Sequence, residues 1–401
     1  MGIHLEHKRN WIAYVGPFLF PWGQPGSRRV CGMARSLAAG GNDVVIGSGG
    51  AEPLLPVNLD EGETPGSITY FGLGELPQPG TQLFAKSYQL FIIWGKKTVA
   101  WLEAQSVKPS HVIVYGGSGQ YMFRLLPWCR RNQIPLLADV VEWYDPRHMS
   151  GGFFGPLHVS AKIALCHQYP KCDGIIAIST YLAEHYRKQG CPVICIPPTL
   201  DVCRISFNYT CQIDNIACLS LVYAGTPGKK DLLSNVIRGI NKVDPDGKYV
   251  RLLVIGPSLE QVKYLLNGAE PPGFVEVLGR MPQDNVAKIV QQADFSVLLR
   301  EPLRFAQAGF PTKFVESMSN GTPVIANLSS DLGTYLHDGI EGFVCRDHSV
   351  DAFAESLHRA LLLPAAERLK MRFAARKQAE HSFCFSTYTN VLIDFLDKVT
   401  I

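Results

Sequence analysis

Short apolar runs alternate along the chain with segments whose apolar positions recur every three or four residues. Residues 11–15 form the first run, of strand length. A Gly- and Pro-rich stretch follows at 16–26. Residues 27–39 then carry Val30, Met33, Ala34 and Leu37 at helical spacing, until Gly40 and Gly41 stop the pattern. A second apolar run begins at 43–46, so the chain opens as strand, glycine loop, helix, strand, a βαβ beginning. Further runs at 111–115, 134–138, 175–178 and 193–196 predict buried parallel strands, and Ser179 is placed to cap a helix over 180–189. The Pro-, Gly- and Glu-rich segment 49–66 predicts a surface loop, and 82–105 predicts one long helix.

Pro197 and Pro198 break the last of these runs, and 199–217 has no periodicity. A domain boundary is expected there, giving one domain over 1–200 and another over 201–384. Alternation resumes with strands at 219–224, 251–255, 274–278 and 295–299, and helices at 232–241, 259–266 and 285–292. The most structured stretch is 308–326. Pro311 suits a first helical position, where its missing N–H costs nothing. Phe314, Val315 and Met318 give a short apolar face, Asn320 and Gly321 form a stop, and 322–326 reads as a buried parallel strand. Helices fill 349–380, and a last one spans 388–399.

With 401 residues the chain exceeds one typical core and suits two domains. Its 46% hydrophobic and 18% charged residues exclude a disordered chain. No run reaches the ~18–20 apolar residues that cross a bilayer. Residues 1–10 lack the apolar core of a signal peptide, and the 11 cysteines contain no Cys-x-x-Cys pair, so reduced thiols in a cytoplasmic protein are expected. Asn208, Asn320 and Asn327 then carry sequons without glycosylation meaning. Residues 1–200 hold 17 Lys and Arg against 13 Asp and Glu, and 201–401 hold 21 against 22. That excess is too small for a nucleic-acid partner. It fits weak attraction to an anionic acceptor or to lipid. The 82–105 segment, with Lys86, Lys96 and Lys97 beside Phe91 and Trp94, could lie peripherally on the inner face of the membrane or pack on a sheet with its lysines outward.

The candidate chemistry gathers near the start of the 311–319 helix. Free N–H groups and the helix dipole make an anion site there, Lys313 adds a charge, and Glu316 lies one turn from Thr312 on the same face. The loop 225–231 combines Gly225 and Gly228 with Lys229 and Lys230, a backbone that a phosphate can approach and two cations to neutralise it. Arg280 follows the 274–278 strand. Asp139, Glu142 and Trp143 lie at the C-terminal end of the 134–138 strand, where ligands of open α/β sheets bind. Asp244-Pro245-Asp246 has the Asp-x-Asp spacing of a metal site but sits in a Pro-Asp-Gly turn and is read as that turn. Gly116 to Gly119 falls short of a serine-hydrolase elbow because Gln120 replaces the second outer glycine. No Gly-x-Gly-x-x-Gly is present.

On these residues the chain resembles the retaining glycosyltransferases of the two-Rossmann (GT-B) fold, in particular glycosyltransferase family 4, the glycosyl transferases group 1. That family carries two glutamates separated by seven residues, the second followed by a small-residue helix end and a Gly-x-Pro-Val-Ile strand. Glu316 and residues 321–325 match the second part, and Ala308 stands at the first glutamate's position. The resemblance implies an α/β chain of two Rossmann-like domains with parallel sheets facing an interdomain cleft, and a C-terminal helix near 385–401 that crosses back to the first domain. It implies transfer of a hexose-type sugar from a nucleotide-diphosphate sugar, foremost a UDP-sugar, to a hydroxyl of a glycan or lipid-linked acceptor in polysaccharide biosynthesis. Neither cofactor nor metal is implied. Donor contacts would come from Lys229, Lys230, Arg280, Pro311, Thr312, Lys313 and Glu316, with Lys230, Lys313 and Glu316 acting in catalysis. The acceptor side would be formed by Gly23, Gly26, Asp139 and Glu142. Lys230 takes the place of the family's loop lysine. The usual arginine position falls in the Gly225-Thr226 turn, for which Lys229 would compensate. Ala308 leaves two readings open: an enzyme that holds the sugar through Glu301, Gln307 or Lys313, or a non-catalytic nucleotide-sugar-binding partner of an active transferase. A two-domain nucleotide-sugar epimerase shares the architecture and is a further enzyme reading.

Overall fold

The computed structural model describes residues 10–21, 25–59, 62–77, 80–82, 88–149, 151–207, 218–225 and 230–399. The chain divides into two compact units, one of Met1–Thr199 with Phe385–Ile401 and one of Leu200–Cys384.

The first unit is built on eight strands: β1 (Trp11–Gly16), β2 (Asp43–Ser48), β3 (Val57–Asn58), β4 (Ile68–Gly72), β5 (His111–Tyr115), β6 (Leu136–Val140), β7 (Gly174–Ala177) and β8 (Val193–Cys195). They lie in the order β3-β4-β2-β1-β5-β6-β7-β8. All neighbours are parallel except β3, which runs antiparallel to β4. β1 is buried along its whole length, as expected of a central strand covered on both faces. The Pro25–Ala39 helix starts on its proline and turns Val30, Met33 and Leu37 into the core. The last helix, Thr389–Lys398, adds Leu392 and Leu396 to the same apolar cluster. Each such side chain contributes about 1.5–3 kcal/mol on burial.

The long helix expected over 82–105 is not continuous among the described residues. A single π turn occupies Gln89–Ile93, Gly95 takes a left-handed conformation at φ +78°, and an α-helix runs from Lys96 to Ala104. Glu75, buried, caps that second piece by accepting from the backbone N–H groups of Lys97 (2.7 Å) and Thr98 (3.0 Å). Apolar spacing alone did not reveal the break, because the glycine ends one helix and the cap that starts the next comes from Glu75, some twenty residues earlier.

The second unit holds β9 (Leu219–Ala224), β10 (Val250–Ile255), β11 (Val275–Gly279), β12 (Phe295–Leu298), β13 (Val324–Asn327) and β14 (Gly342–Cys345), all parallel, in the order β11-β10-β9-β12-β13-β14. The chain winds outward from β9 to β11, returns, and winds out the other way from β12. The reversal therefore falls between β9 and β12. The Leu233–Val243 and Val350–Leu362 helices pack together on this sheet and bury Val236, Ile237, Ile240, Phe353 and Leu357. The Ala365–Phe383 helix buries two arginines that donate to backbone carbonyls: Arg372 to Ala293 (2.6 Å), and Arg376 to Val202 (2.8 Å) and Ile205 (3.0 Å). Asp244 accepts from the backbone N–H groups of Lys248, Tyr249 and Val250, and Asp246 pairs with Lys248 Nζ. The Asp-x-Asp spacing is a turn here.

Candidate functional site

In a doubly wound sheet, ligands bind beyond the C-terminal strand ends where the winding reverses. In the second unit that place lies past β9 and β12. The chain leaves β9 at Gly225 and leaves β12 at Leu299 and Arg300, and the Thr312–Ser319 helix reaches it from β13's side. Pro311 is buried immediately ahead of that helix, one position earlier than the sequence suggested. Phe314, Val315 and Met318 face the core, and Thr312, Lys313 and Glu316 are half-buried. Asn320 keeps a negative φ, and Gly321 alone makes the stop at φ +66°, where an added Cβ would sit 2.1 Å from the Phe207 ring.

The sequence expected Lys313 to present a free charge. In the structure its ammonium is engaged. Lys313 Nζ forms an ion pair with Asp231 Oδ2, donates to Tyr223 Oη at 2.7 Å, and lies 4.0 Å from the centre of the Tyr223 ring. Tyr223 Oη donates to the same carboxylate oxygen at 2.8 Å, and Arg300 Nε donates to the other at 2.8 Å. Side-chain exposure is 4% for Asp231, 10% for Arg300 and 17% for Lys313. Burial pushes the Asp231 carboxyl up, but Arg300 and then Lys313 overrule it and hold it well below the usual carboxylate range. Burial and then Asp231 keep Tyr223 a neutral phenol. Burial lowers Lys313, and Asp231 opposes that shift.

Gly225 makes this packing possible. It sits at φ +142°, and a Cβ there would approach Lys313 Cε to 2.6 Å and Nζ to 2.8 Å. Lys230 is half-buried in the turn before Asp231, with its ammonium 5.6 Å from the Phe305 ring centre. Arg280 is exposed beyond edge strand β11, two strands away from β9. Ala308 is fully buried at the end of the short Arg304–Ala308 helix. Gln307 Oε1 accepts from Ser330 N at 2.7 Å, and Glu301 is exposed. Lys229 lies outside the described residues. Among the described residues, no group of three His, Cys, Asp or Glu side chains gathers as a metal set would.

Of the expected residues, the structure brings together Lys313, Thr312, Pro311, Glu316 and Lys230 at the β9–β12 reversal and separates Arg280 from them. Asp231, Arg300 and Tyr223 were missed. Asp231 and Arg300 stand just beyond β-strand runs, so the strand-end rule would have flagged them, but their pairing spans 69 residues.

In the first unit, Asp139 is corrected. Its side chain is fully buried in β6 and faces inward. Tyr14 donates to it at 2.5 Å, Arg29 Nη2 at 3.0 Å and Arg29 Nε at 3.2 Å. The other Arg29 nitrogen, Nη1, donates to the carbonyls of Ile196 and Pro197, each at 2.7 Å. A carboxylate so occupied is not available to a sugar hydroxyl. Gly26 is buried, and a Cβ there would meet the Tyr115 hydroxyl at 2.8 Å, so its role is close packing. Glu142 is half-buried past the end of β6, beside Trp143, whose ring meets His185 edge-on at 5.1 Å. Gly23 lies outside the described residues.

Residues 221–378 match the family model described as glycosyl transferases group 1. Over 244 residues the chain is 24% identical to the Escherichia coli K12 protein named as the colanic acid biosynthesis glycosyltransferase WcaL, covering 57% of this chain and 59% of that one. The match thus spans less than two thirds of that relative's length. Anabaena HepE, solved with UDP and glucose, superposes with a TM-score of 0.66 at 14% identity, covering 97% of this chain and 100% of that one. Sucrose-phosphate synthase of Thermosynechococcus elongatus superposes with a TM-score of 0.71 at 14% identity, covering 97% and 99%. At those identities the likeness is one of fold: two Rossmann-like units with parallel sheets.

Proposed function

Because residues 221–378 carry the glycosyl transferases group 1 module on a chain of GT-B fold, we propose that this protein is a retaining glycosyltransferase. It moves a sugar from a nucleotide-diphosphate sugar to a hydroxyl of a glycan or lipid-linked acceptor, without a metal. The observation that carries this reading is the start of the Thr312–Ser319 helix. It places backbone N–H groups where the sheet's winding reverses, with Lys313 packed against Gly225 beside them. A diphosphate at that point gains charge as the sugar leaves, and Lys230, Lys313 and the helix start stabilise it in place of a metal. Glu316 accepts hydrogen bonds from the ribose hydroxyls. Glu142 and the 16–26 loop serve the acceptor. UDP is the expected nucleotide, supported by the UDP in HepE, and polysaccharide assembly is supported by the name WcaL carries.

A second reading, a nucleotide-sugar-binding protein without catalysis, rests on Ala308, which puts a buried methyl where the family keeps a glutamate. Thermal-shift titration with UDP, GDP, ADP and TDP, for wild type and Glu316→Ala, tests the site, since a ligand that binds the native state raises its stability. One nucleotide should raise the wild-type melting temperature, less so in the variant, and no response to any nucleotide would sink the proposal. Turnover of the matching sugar nucleotide with and without EDTA then separates the two readings and tests metal independence.

A further inference from the structure

Among the described residues, the Asp231 cluster is short of one negative charge. One carboxylate faces two cations, Arg300 and Lys313, and the fourth member, Tyr223, is a neutral phenol. Among the described residues, the charged groups that act on Lys313 are Asp231 and Arg300. The group therefore carries about one net positive charge with nine-tenths of the Arg300 side chain buried. A buried charge without a compensating partner is costly to the fold. If Asp231 needed only a partner, Lys313 alone would neutralise it.

Arg300 is also held more firmly than a neutralising role requires. Its backbone N–H donates to Asn327 Oδ1 at 2.8 Å, and its carbonyl accepts from Asn327 Nδ2 at 2.8 Å. Asn327 is itself buried at the end of β13. Asp231 fixes the side chain through Nε. Main chain and side chain are thus both clamped at the C-terminal end of β12, across the winding reversal from Gly225. A planar guanidinium held in this way suits a phosphate, which accepts two parallel hydrogen bonds.

We propose that Arg300 is a phosphate-binding residue for the donor's diphosphate, working beside Lys313, and that Asp231 is the positioning residue that holds the two cations side by side. This rests on the donor-site reading above. It assigns the arginine contact to the end of β12, whereas the sequence left the β9 loop without an arginine and turned to Lys229.

The test is the affinity for UDP, UMP and uridine in wild type, Arg300→Gln and Arg300→Lys, with melting temperatures as the check on folding. Arg300→Gln leaves Asp231 and Lys313 as a neutral pair, so folding is retained. UDP affinity should drop ~10-fold, the loss of one charge-assisted contact, with UMP affected less and uridine unchanged. Arg300→Lys should recover part of the loss. A structural role would instead lower melting temperature and affect all three ligands alike, and equal losses, or no loss for UDP, would overturn the assignment. Should Arg300→Gln not fold, Arg300→Lys decides: a several-fold weaker UDP with uridine untouched supports the contact, and wild-type affinity for UDP refutes it. If wild type binds no nucleotide, the donor reading fails separately, and inorganic pyrophosphate becomes the probe. Stabilisation by pyrophosphate in wild type but not in Arg300→Gln would keep the anion site, and no stabilisation would remove it.

Discussion

Asp139→Asn tests the assignment of Asp139 as a carboxylate that holds the first unit together and not one that meets a sugar. The substitution keeps the side-chain shape and removes the charge. Asp139 and Arg29 have side-chain exposures of 0% and 2%, so the guanidinium would remain buried without its counter-ion. It could not turn to water, because Nη1 is tied to the Ile196 and Pro197 carbonyls. Removing one partner of such a pair costs about 3–5 kcal/mol. For a unit of this size each kcal/mol lowers the melting temperature by about 2–4 °C, so a fall of roughly 6–20 °C is expected. Tyr14→Phe, which removes one donor from the carboxylate, should cost less, about 1.5–3 kcal/mol. Calorimetry of the full chain reads both. A drop of less than about 2 °C for Asp139→Asn, under about one kcal/mol, combined with weakened acceptor binding, would refute the structural assignment and restore the acceptor-side role.

Two further outcomes follow from the second unit. Gly225→Ala places a methyl 2.6 Å from Lys313 Cε at a φ that L side chains rarely adopt. It should weaken nucleotide binding about tenfold or more by displacing the ammonium, as measured by calorimetric titration, and unchanged affinity would contradict the packing described. Asp231 has its carboxyl held below its ordinary value of 3.8. The stability it contributes is therefore present above that value and lost as pH falls from there toward the depressed folded value. Acid titration of the melting temperature should fall steeply below pH ~4 in wild type and less steeply in Asp231→Asn, and parallel curves would show that the carboxylate is not held as described.

The alternation of apolar runs and helical spacing was enough to lay out most strands and helices of both units, because burial on two faces demands continuous apolar strands and burial on one face demands a 3.6-residue period. The local geometry of the 308–326 stretch was legible for the same reason: spacing alone puts Thr312 and Glu316 on one helix face. The Pro-Asp-Gly turn could be told from a metal motif because turn chemistry is local. What these residues touch was not legible. Lys313 meets Asp231 across 82 residues, Arg300 meets Asp231 across 69, and Arg29 meets Asp139 across 110. Sequence could name charged side chains near strand ends, but only the sheet order, with β9 beside β12 and β6 two strands from β1, decided which were neutralised in the interior and which were left to face a ligand. Charge compensation is set by distance and burial, and in a parallel α/β sheet both depend on strands that are neighbours in space and far apart in the chain.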